Sequence, residues 1–531
     1  MREVVIRPIF RILALFVVLV GALAGCRCRP EQPAAEPTPK ASLRLVFVSS
    51  AAGALEPCGC VKDMLGGVDH AAAFLHKHKD VPTLVLGAGP MLFAEPSLKS
   101  DRLAQDLWKA RAMSGALRDM GLRAWAPGAN DFAAGINELS ALSDKGSLLL
   151  AANLQGRPAG ARASSTFRVG DVQVGVVGIS VPRVDGRLPE GVVLTDAAAA
   201  LRDAAGELRR ANVPLRVALL AMPRGEALRL AELVPEFQLI LLGKPVDQGA
   251  SNDAVTPPVQ IGRTLVVEAP NHLQALYSVE LFFENGQLEL PAAAGGDVDV
   301  LDRRIGELSQ RIAAAEKSAN VAAADLAARR RDLEGLRRQR EQAKQQQAPQ
   351  KQRHRVQLVE VRESLGSDDA VAARLVEYYR QVNEHNRVAF KDRVPPPVAK
   401  GESGYIGAEA CSTCHREEHA FWSQTRHASA YATLSRQHKQ FNLDCVSCHV
   451  TGYGEPGGST VVQVGGFENV QCEVCHGPGS RHATSPTDPA LIVAHPAPES
   501  CVSKCHHTPH VNADWDVMQA LPHVLGPGHG R

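Results

Sequence analysis

The sequence predicts a multidomain chain: an α/β sandwich, a helical hairpin or coiled-coil connector, and a mostly α C-terminal domain. Three observations carry this. The 531 residues exceed one ordinary domain. Short β-rich and helical runs alternate from Leu43 to about Ala294. Eight of the 12 Cys and 13 of the 19 His then fall between Cys411 and His529, so the metal-ligand residues are gathered in the last quarter. A hydrophobic fraction of 45% excludes a wholly disordered chain. With 58 basic against 57 acidic residues, the net charge of +1 gives no reason to expect nucleic acid as a partner.

Residues 1–25 read as an export signal. Arg2, Arg7 and Arg11 precede an apolar run from Ile12 to Val20, which is short for a spanning helix and ends in small residues. Leu23-Ala24-Gly25-Cys26 resembles a bacterial lipobox, which implies that Cys26 is acylated and holds the mature chain to a membrane. Residues 26–42, with Pro30, Pro33, Pro37 and Pro39, read as an extended tether. The expected location is outside the cytoplasm, on the periplasmic face.

Residues 43–296 form the α/β domain. Strands are expected at Leu43–Val48, Thr83–Leu86, Ser147–Leu150, Val172–Val177, Leu215–Leu220, Leu239–Leu242 and Thr264–Val267. Helices are expected at Leu103–Met120, Ala197–Ala211 and Gly225–Leu233. The order resembles the calcineurin-like phosphoesterase fold, in its 5′-nucleotidase branch. Gly128-Ala129-Asn130-Asp131-Phe132-Ala133-Ala134-Gly135 lies where that branch has Gly-Asn-His-Glu-Phe-Asp-x-Gly. The two-metal ligand set that the resemblance implies is mostly lost. Ser49-Ser50, Pro90, Ala129, Asn130 and Lys244 stand at ligand or catalytic positions, and hydrolysis needs both metals. In their place comes Cys58-Gly59-Cys60, just after the first strand, at the edge where open α/β sheets hold ligands. It is either a structural staple or a thiol redox or metal site feeding the C-terminal domain. The same run occurs in exported phosphoesterase-like domains fused to multihaem cytochromes, an architecture this chain resembles over nearly its whole length.

Residues 297–392 read as the connector. Leu301, Ile305, Leu308 and Ile312 open a three-four repeat that Gln345-Gln346-Gln347-Ala348-Pro349 stops. A second helix from about Asp368 to Val388 folds back as a hairpin, making an intramolecular spacer; the alternative is a parallel homodimer through the long helix. Residues 393–403, with Pro395-Pro396-Pro397, form a linker.

Residues 404–531 hold four attachment sites for c-type haem. Cys411-x-x-Cys414-His415, Cys445-x-x-Cys448-His449 and Cys472-x-x-Cys475-His476 have the regular spacing, and Cys501-x-x-x-Cys505-His506 has one extra residue. Two thiols on one helical turn reach the two vinyl groups, and the next His faces the iron. The domain has too little polypeptide for a core of its own, so the four covalently bound haems supply it.

The stretch resembles the tetrahaem cytochrome c-554 family. Tyr405-Ile406-Gly407, Trp422-Ser423-Gln424-Thr425-Arg426-His427 and Cys472-Glu473-Val474-Cys475-His476-Gly477-Pro478-Gly479-Ser480-Arg481-His482 carry the resemblance. It implies distal ligands His482 on the first haem and His427 on the third. For the fourth haem the candidates are His529, favoured, and His523. The resemblance leaves the second haem, on His449, without a protein distal ligand; His438 is the alternative occupant. The leading functional expectation is an electron relay meeting redox partner proteins. The rival is a haem oxidoreductase acting on a small nitrogen or sulfur species at an open His449 iron. A nucleotide hydrolase is disfavoured by the lost ligands.

Overall fold

The computed structural model describes residues 41–57, 64–143, 147–184, 186–246, 255–283, 354–507 and 515–527, the helical residues between 301 and 346 in part, and residues 510, 511 and 529. The export signal, Cys26, the tether as far as Lys40 and the Cys58-Gly59-Cys60 run lie outside the described residues. Residues Ala41–Arg531 form one compact unit. Among the described residues no helix is long and apolar enough to cross a membrane.

The first strands are β1 (Leu43–Ser49), β2 (Thr83–Gly89), β3 (Leu122–Pro127) and β4 (Leu148–Leu149), followed by the short β5 (Leu154–Gln155). Next come β6 (Ser164–Val169), β7 (Val172–Ser180), β8 (Val193–Leu194), β9 (Leu215–Ala221) and β10 (Leu239–Gly243). The last are β11 (Val259–Ile261), β12 (Thr264–Val267), β13 (Ala275–Leu281) and β14 (His354–Glu360). The helices of this lobe are α1 (Val68–Lys77), α2 (Leu103–Asp119), α3 (Ile136–Ser143), α4 (Ala197–Arg210) and α5 (Arg224–Leu233). Two more follow, α6 (Ala323–Gln346) and α7 (Asp369–Ala389).

Two six-stranded sheets stack face to face, in the orders β14-β13-β1-β2-β3-β4 and β11-β12-β10-β9-β7-β6, and β5 pairs with β8 as a ribbon. β1 to β4 run parallel, as do β12, β10, β9 and β7, while β13, β14, β6 and β11 pair antiparallel at the margins. The parallel strands are buried on both faces, which is why they read as continuous apolar runs. Leu43, Leu45 and Phe47 of β1 share the intersheet core with Val176, Val217, Leu219 and Leu241 of the second sheet. Val46 and Val48 point the other way, under α1 and α2. The second sheet's outer face is covered by Leu201, Ala205 and Leu208 of α4 and Ala227 and Ala231 of α5. The layers are therefore helix, sheet, sheet, helix.

The sheets touch at their carboxyl ends, where the approach requires glycine. A Cβ on Gly243 would lie 2.0 Å from the Ala88 carbonyl oxygen.

Two features of the connector differ from expectation. First, residues 354–360 are not helical: β14 pairs with β13 along its whole length, from Leu281↔His354 to Ala275↔Glu360. Val356 and Leu358 pack on the intersheet core and Val359 on the helix-covered one, so the segment completes the first sheet. Second, α7, expected to fold back on the long helix, lays Val371, Leu375, Tyr378 and Val382 into the core it shares with α1 and α2. Asp368 caps its start by accepting from the Val371 amide at 3.1 Å. α7 is thus part of the α/β lobe and presents its C-terminal end to the haem-motif lobe.

Candidate functional site

The four Cys-containing motifs lie on short helices. They are α8 (Ala408–Ser412), followed by α9 (Arg416–Trp422) and α10 (Ala430–Arg436), then α11 (Val446–His449) and α12 (Cys472–His476). α13 (Ser480–Thr484) and α14 (Glu499–Lys504) follow them. Contacts between motifs give a spatial order that differs from the chain order. The start of the helix that carries Cys411 of the first motif is bonded to the third: Gly407 donates to Glu473 at 2.8 Å and Ala408 to Gln471 at 2.7 Å. Lys504 of the fourth donates to the Val474 carbonyl of the third at 2.8 Å. Cys448 of the second lies 3.8 Å from the Lys504 carbonyl oxygen. The motifs are therefore contiguous in the order first, third, fourth, second.

Three pairs of imidazoles face one another across these motifs. His415 and His482 have ring centroids 6.3 Å apart, tilted by 26°. His427 and His506 are 6.3 Å apart, and His476 and His529 are 6.0 Å apart. Two imidazoles ligating one metal from opposite sides, each nitrogen about 2 Å from it, put their ring centres about 6 Å apart. The residues therefore fit a haem iron held between each pair. When bound, such an iron takes up and releases single electrons.

The His415–His482 pair joins the residues expected for the first haem. The other two pairs correct the expectation. His427 stands opposite His506 of the fourth motif, not opposite the third, and His529 stands opposite His476 of the third motif, not the fourth. His523, the other candidate for the fourth, lines a cavity that also borders His449 and His506. The pairing depends on how the motifs stack in space, which chain order does not reveal.

Two of the motif histidines are oriented from behind. His449 Nδ1 lies 2.7 Å from the Ala430 carbonyl oxygen and His476 Nδ1 lies 2.7 Å from that of Val493. A carbonyl can only accept, so Nδ1 carries the proton and Nε2 is left for metal. Burial lowers the His476 pKa, against the pull of the Val493 carbonyl, which keeps the ring neutral as a ligand must be. Trp515 stacks on His506 at 4.7 Å and 6°, a neighbour that no spacing signals.

The second motif is the one that meets the α/β lobe. The strip Lys439–Cys445, ending at its first thiol, is held along its length. Lys439 pairs with Glu56 at 2.6 Å and lies 4.3 Å above the Tyr379 ring. Asn386 of α7 donates to the Phe441 carbonyl at 2.8 Å. Gln105 of α2 donates to Asn442 at 3.2 Å and accepts from the Leu443 amide at 3.0 Å. Asp444 pairs with Lys109 at 2.9 Å and with Arg102. Burial alone would raise the Asp444 pKa; the two cations outweigh it and hold the carboxyl below the usual range. A cavity of about 1420 Å³ is lined by Cys445, Cys448 and His449 and by Cys501, Cys505 and His506, the residues that would hold the second and fourth haems, and it reaches Glu56, Pro57 and Leu65 of the α/β lobe. His438, weighed as a ligand for the second haem, is exposed in a left-handed turn at φ 56°.

At the carboxyl ends of the α/β strands, the residues that stand at the expected ligand positions are bonded into the fold. Ser50 Oγ donates to the Lys244 carbonyl at 2.7 Å, and Asn130 donates to that of Ala94 at 2.7 Å. Lys244 pairs at 3.1 Å with Glu268, which is 3% exposed and also pairs with Arg224. Among the described residues no three His, Cys, Asp or Glu side chains converge to hold a metal ion. Asp131 accepts from the amides of Met91, Leu92 and Gly128, each at 2.8 Å. Burial nevertheless pushes its pKa up to about 7. A folded pKa above the unfolded one, about 3.9, means stability that is full at low pH and lost as pH rises towards 7. Asp131→Asn should flatten this slope between about pH 4 and 7, as measured by denaturant titration of the α/β lobe across that range.

Residues 410–477 match the family described as cytochrome c554 and c-prime. Cytochrome c-554 from Nitrosomonas europaea is 34% identical over a stretch that is 15% of this chain and 40% of that protein. Two solved structures resemble the chain more broadly. The 5′-nucleotidase precursor from Thermus thermophilus is 17% identical, with a TM-score of 0.46, covering 69% of this chain and 62% of that one. The sulfate thiohydrolase SoxB from the same organism is 16% identical, with a TM-score of 0.43, covering 72% of this chain and 69% of that one. The chain thus spans less than half of the cytochrome and just under two thirds of the nucleotidase. Residues 410–477 thus resemble a segment of the cytochrome c554 and c-prime family, a match that implies covalently bound c-type haem and that the facing imidazoles fit, and they are joined here to an α/β two-sheet lobe.

Proposed function

We propose that the chain is an exported, lipid-anchored tetrahaem c-type cytochrome that relays electrons. Its relay order is first, third, fourth and second motif, and its phosphoesterase-like lobe is non-hydrolytic. The observation that supports this most is the contiguity of the four motifs, with an imidazole pair at three of them. The second motif is the terminus that meets the α/β lobe, so electrons enter or leave there on one side and through a partner protein on the other. Cys58 and Cys60 are the candidate thiol redox pair on that lobe. Pro57 and Leu65, on either side of them in the chain, line the cavity that also borders His449.

A second reading has a specific observation behind it. The cavity that would hold the His449 haem runs on to Glu56, Pro57 and Leu65 of the α/β lobe, which suits the approach of a small nitrogen or sulfur species to that haem. Haem stoichiometry with electron paramagnetic resonance on the oxidised, matured protein separates the two. Four low-spin haems support a relay alone. A high-spin signal from one haem in four supports reaction at His449. Fewer than four haems per chain would defeat the tetrahaem assignment. A double Cys58→Ser, Cys60→Ser variant should slow or abolish electron exchange between added thiols and the haems while haem content stays at the parent level. A change in melting alone would make the two cysteines structural.

A further inference from the structure

One buried carboxylate in the C-terminal lobe has no place in attachment or ligation. Glu473, 1% exposed, follows Cys472 inside the third motif. The spacer residues of such a motif carry no ligand chemistry, so a charged one is expected to turn to solvent. Instead the Glu473 carboxylate is turned into the lobe and receives three backbone amides. Ile406 donates at 3.1 Å and Gly407 at 2.8 Å, from the turn that enters α8. Gly479 donates at 2.7 Å, from the turn that enters α13. Gln471, two residues earlier, reinforces the first arm by accepting from the Ala408 amide at 2.7 Å.

The two segments so gripped hold the two imidazoles of a single pair. α8 leads through Cys411 into His415, and α13 carries His482. We infer that Glu473 is a positioning residue for the axial pair of the first haem, although it belongs by sequence to the third motif. A carboxylate suits the task for two reasons. It accepts from several amides at once, which the donor half of a neutral amide side chain cannot do. Its charge also strengthens each of those bonds. The geometry is unforgiving on the α8 side, because Gly407 adopts φ 80° and a Cβ there would lie 2.8 Å from the Gly466 carbonyl oxygen. The same charge is buried between the first and third motifs. A negative charge stabilises the more positive, oxidised state of a nearby iron, so it lowers the midpoint potential of the haems beside it.

This rests on the reading that His415 and His482 ligate one iron. The test uses the full-length protein with its haems, and begins with His482→Met, which marks the signal of the first haem. Glu473→Gln keeps the volume and removes the charge. The expected result is an unchanged haem count, a perturbed low-spin or new high-spin signal at the haem that His482→Met marks, and a raised midpoint potential at one or two haems with the others unmoved. Should Glu473→Gln yield no holoprotein, Glu473→Asp, which keeps the charge but cannot span both arms, should perturb the same signal. Unaltered spectra and potentials in the variant, or a loss spread evenly over all haems, would overturn the role. If His482→Met itself left every haem signal in place, the axial-pair reading would fail, and not the grip of Glu473 on its three amides.

Discussion

Asp444→Asn should weaken the contact between the two lobes by about 3 kcal/mol, near the low end of what removing one partner of a buried ion pair costs. The low end applies because Lys109 and Arg102 keep 21% and 30% exposure. Asparagine preserves shape but takes from Lys109 its paired anion, while Arg102 keeps Asp106 at 3.3 Å. Urea titration followed separately at the haem absorbance and at tryptophan fluorescence should show the haem-motif lobe parting earlier than in the parent. Because Asp444 adjoins Cys445, the midpoint potential of a haem on the second motif should rise while those of the other haems stay. A pH titration checks the same pairing from both ends. The depressed Asp444 pKa means stability present above about pH 4 and lost as pH falls below it. Lys109, raised by Asp444 in spite of its burial, contributes stability that is lost only as pH climbs past about 10.4. An interface indifferent to acid, with Asp444→Asn as stable as the parent, would show that Gln105, Asn386 and Lys439 suffice.

His427→Ala and His529→Ala should each convert one low-spin haem to high-spin, and the two should act on different haems. His529→Ala is expected to open the third-motif haem and His427→Ala the fourth. A background in which Cys501 and Cys505 are both replaced by Ala removes the fourth haem and decides the assignment. There His427→Ala should add no further high-spin signal, while His529→Ala still does. The reverse pattern would return His427 to the third haem. His523→Ala, the control, should leave the signals as they are.

Much of this molecule is legible in the sequence. The strands β1, β2, β7, β9, β10 and β12 show as continuous apolar runs because both their faces are buried, and the attachment motifs show because haem chemistry dictates their spacing. What escapes notice is whatever depends on partners far along the chain. β14 reads as connector because its partner β13 lies far earlier, across a highly charged helix. The strip Lys439–Cys445 carries no pattern of its own; its meaning comes from Gln105, Lys109 and Asn386, each supplied by a helix of the other lobe. The exchange of His427 and His529 between motifs has the same origin. A distal ligand is chosen by which helix passes over which iron, and a single sequence records only the order of the helices.

The pairing of Leu281 with His354 makes everything between them the loop of one hairpin, however long it is. The chain leaves the sheet at one rung and returns at the same rung, about 5 Å away across an antiparallel pair. An excursion anchored like that is modular. Lengthening it twofold adds only about 0.6 kcal/mol of closure entropy, and no strand changes register. A short turn joining β13 to β14 should leave the sandwich and the haem-motif lobe assembled. The segment is therefore free to vary in length, or to acquire a binding partner, without disturbing the haem-motif lobe.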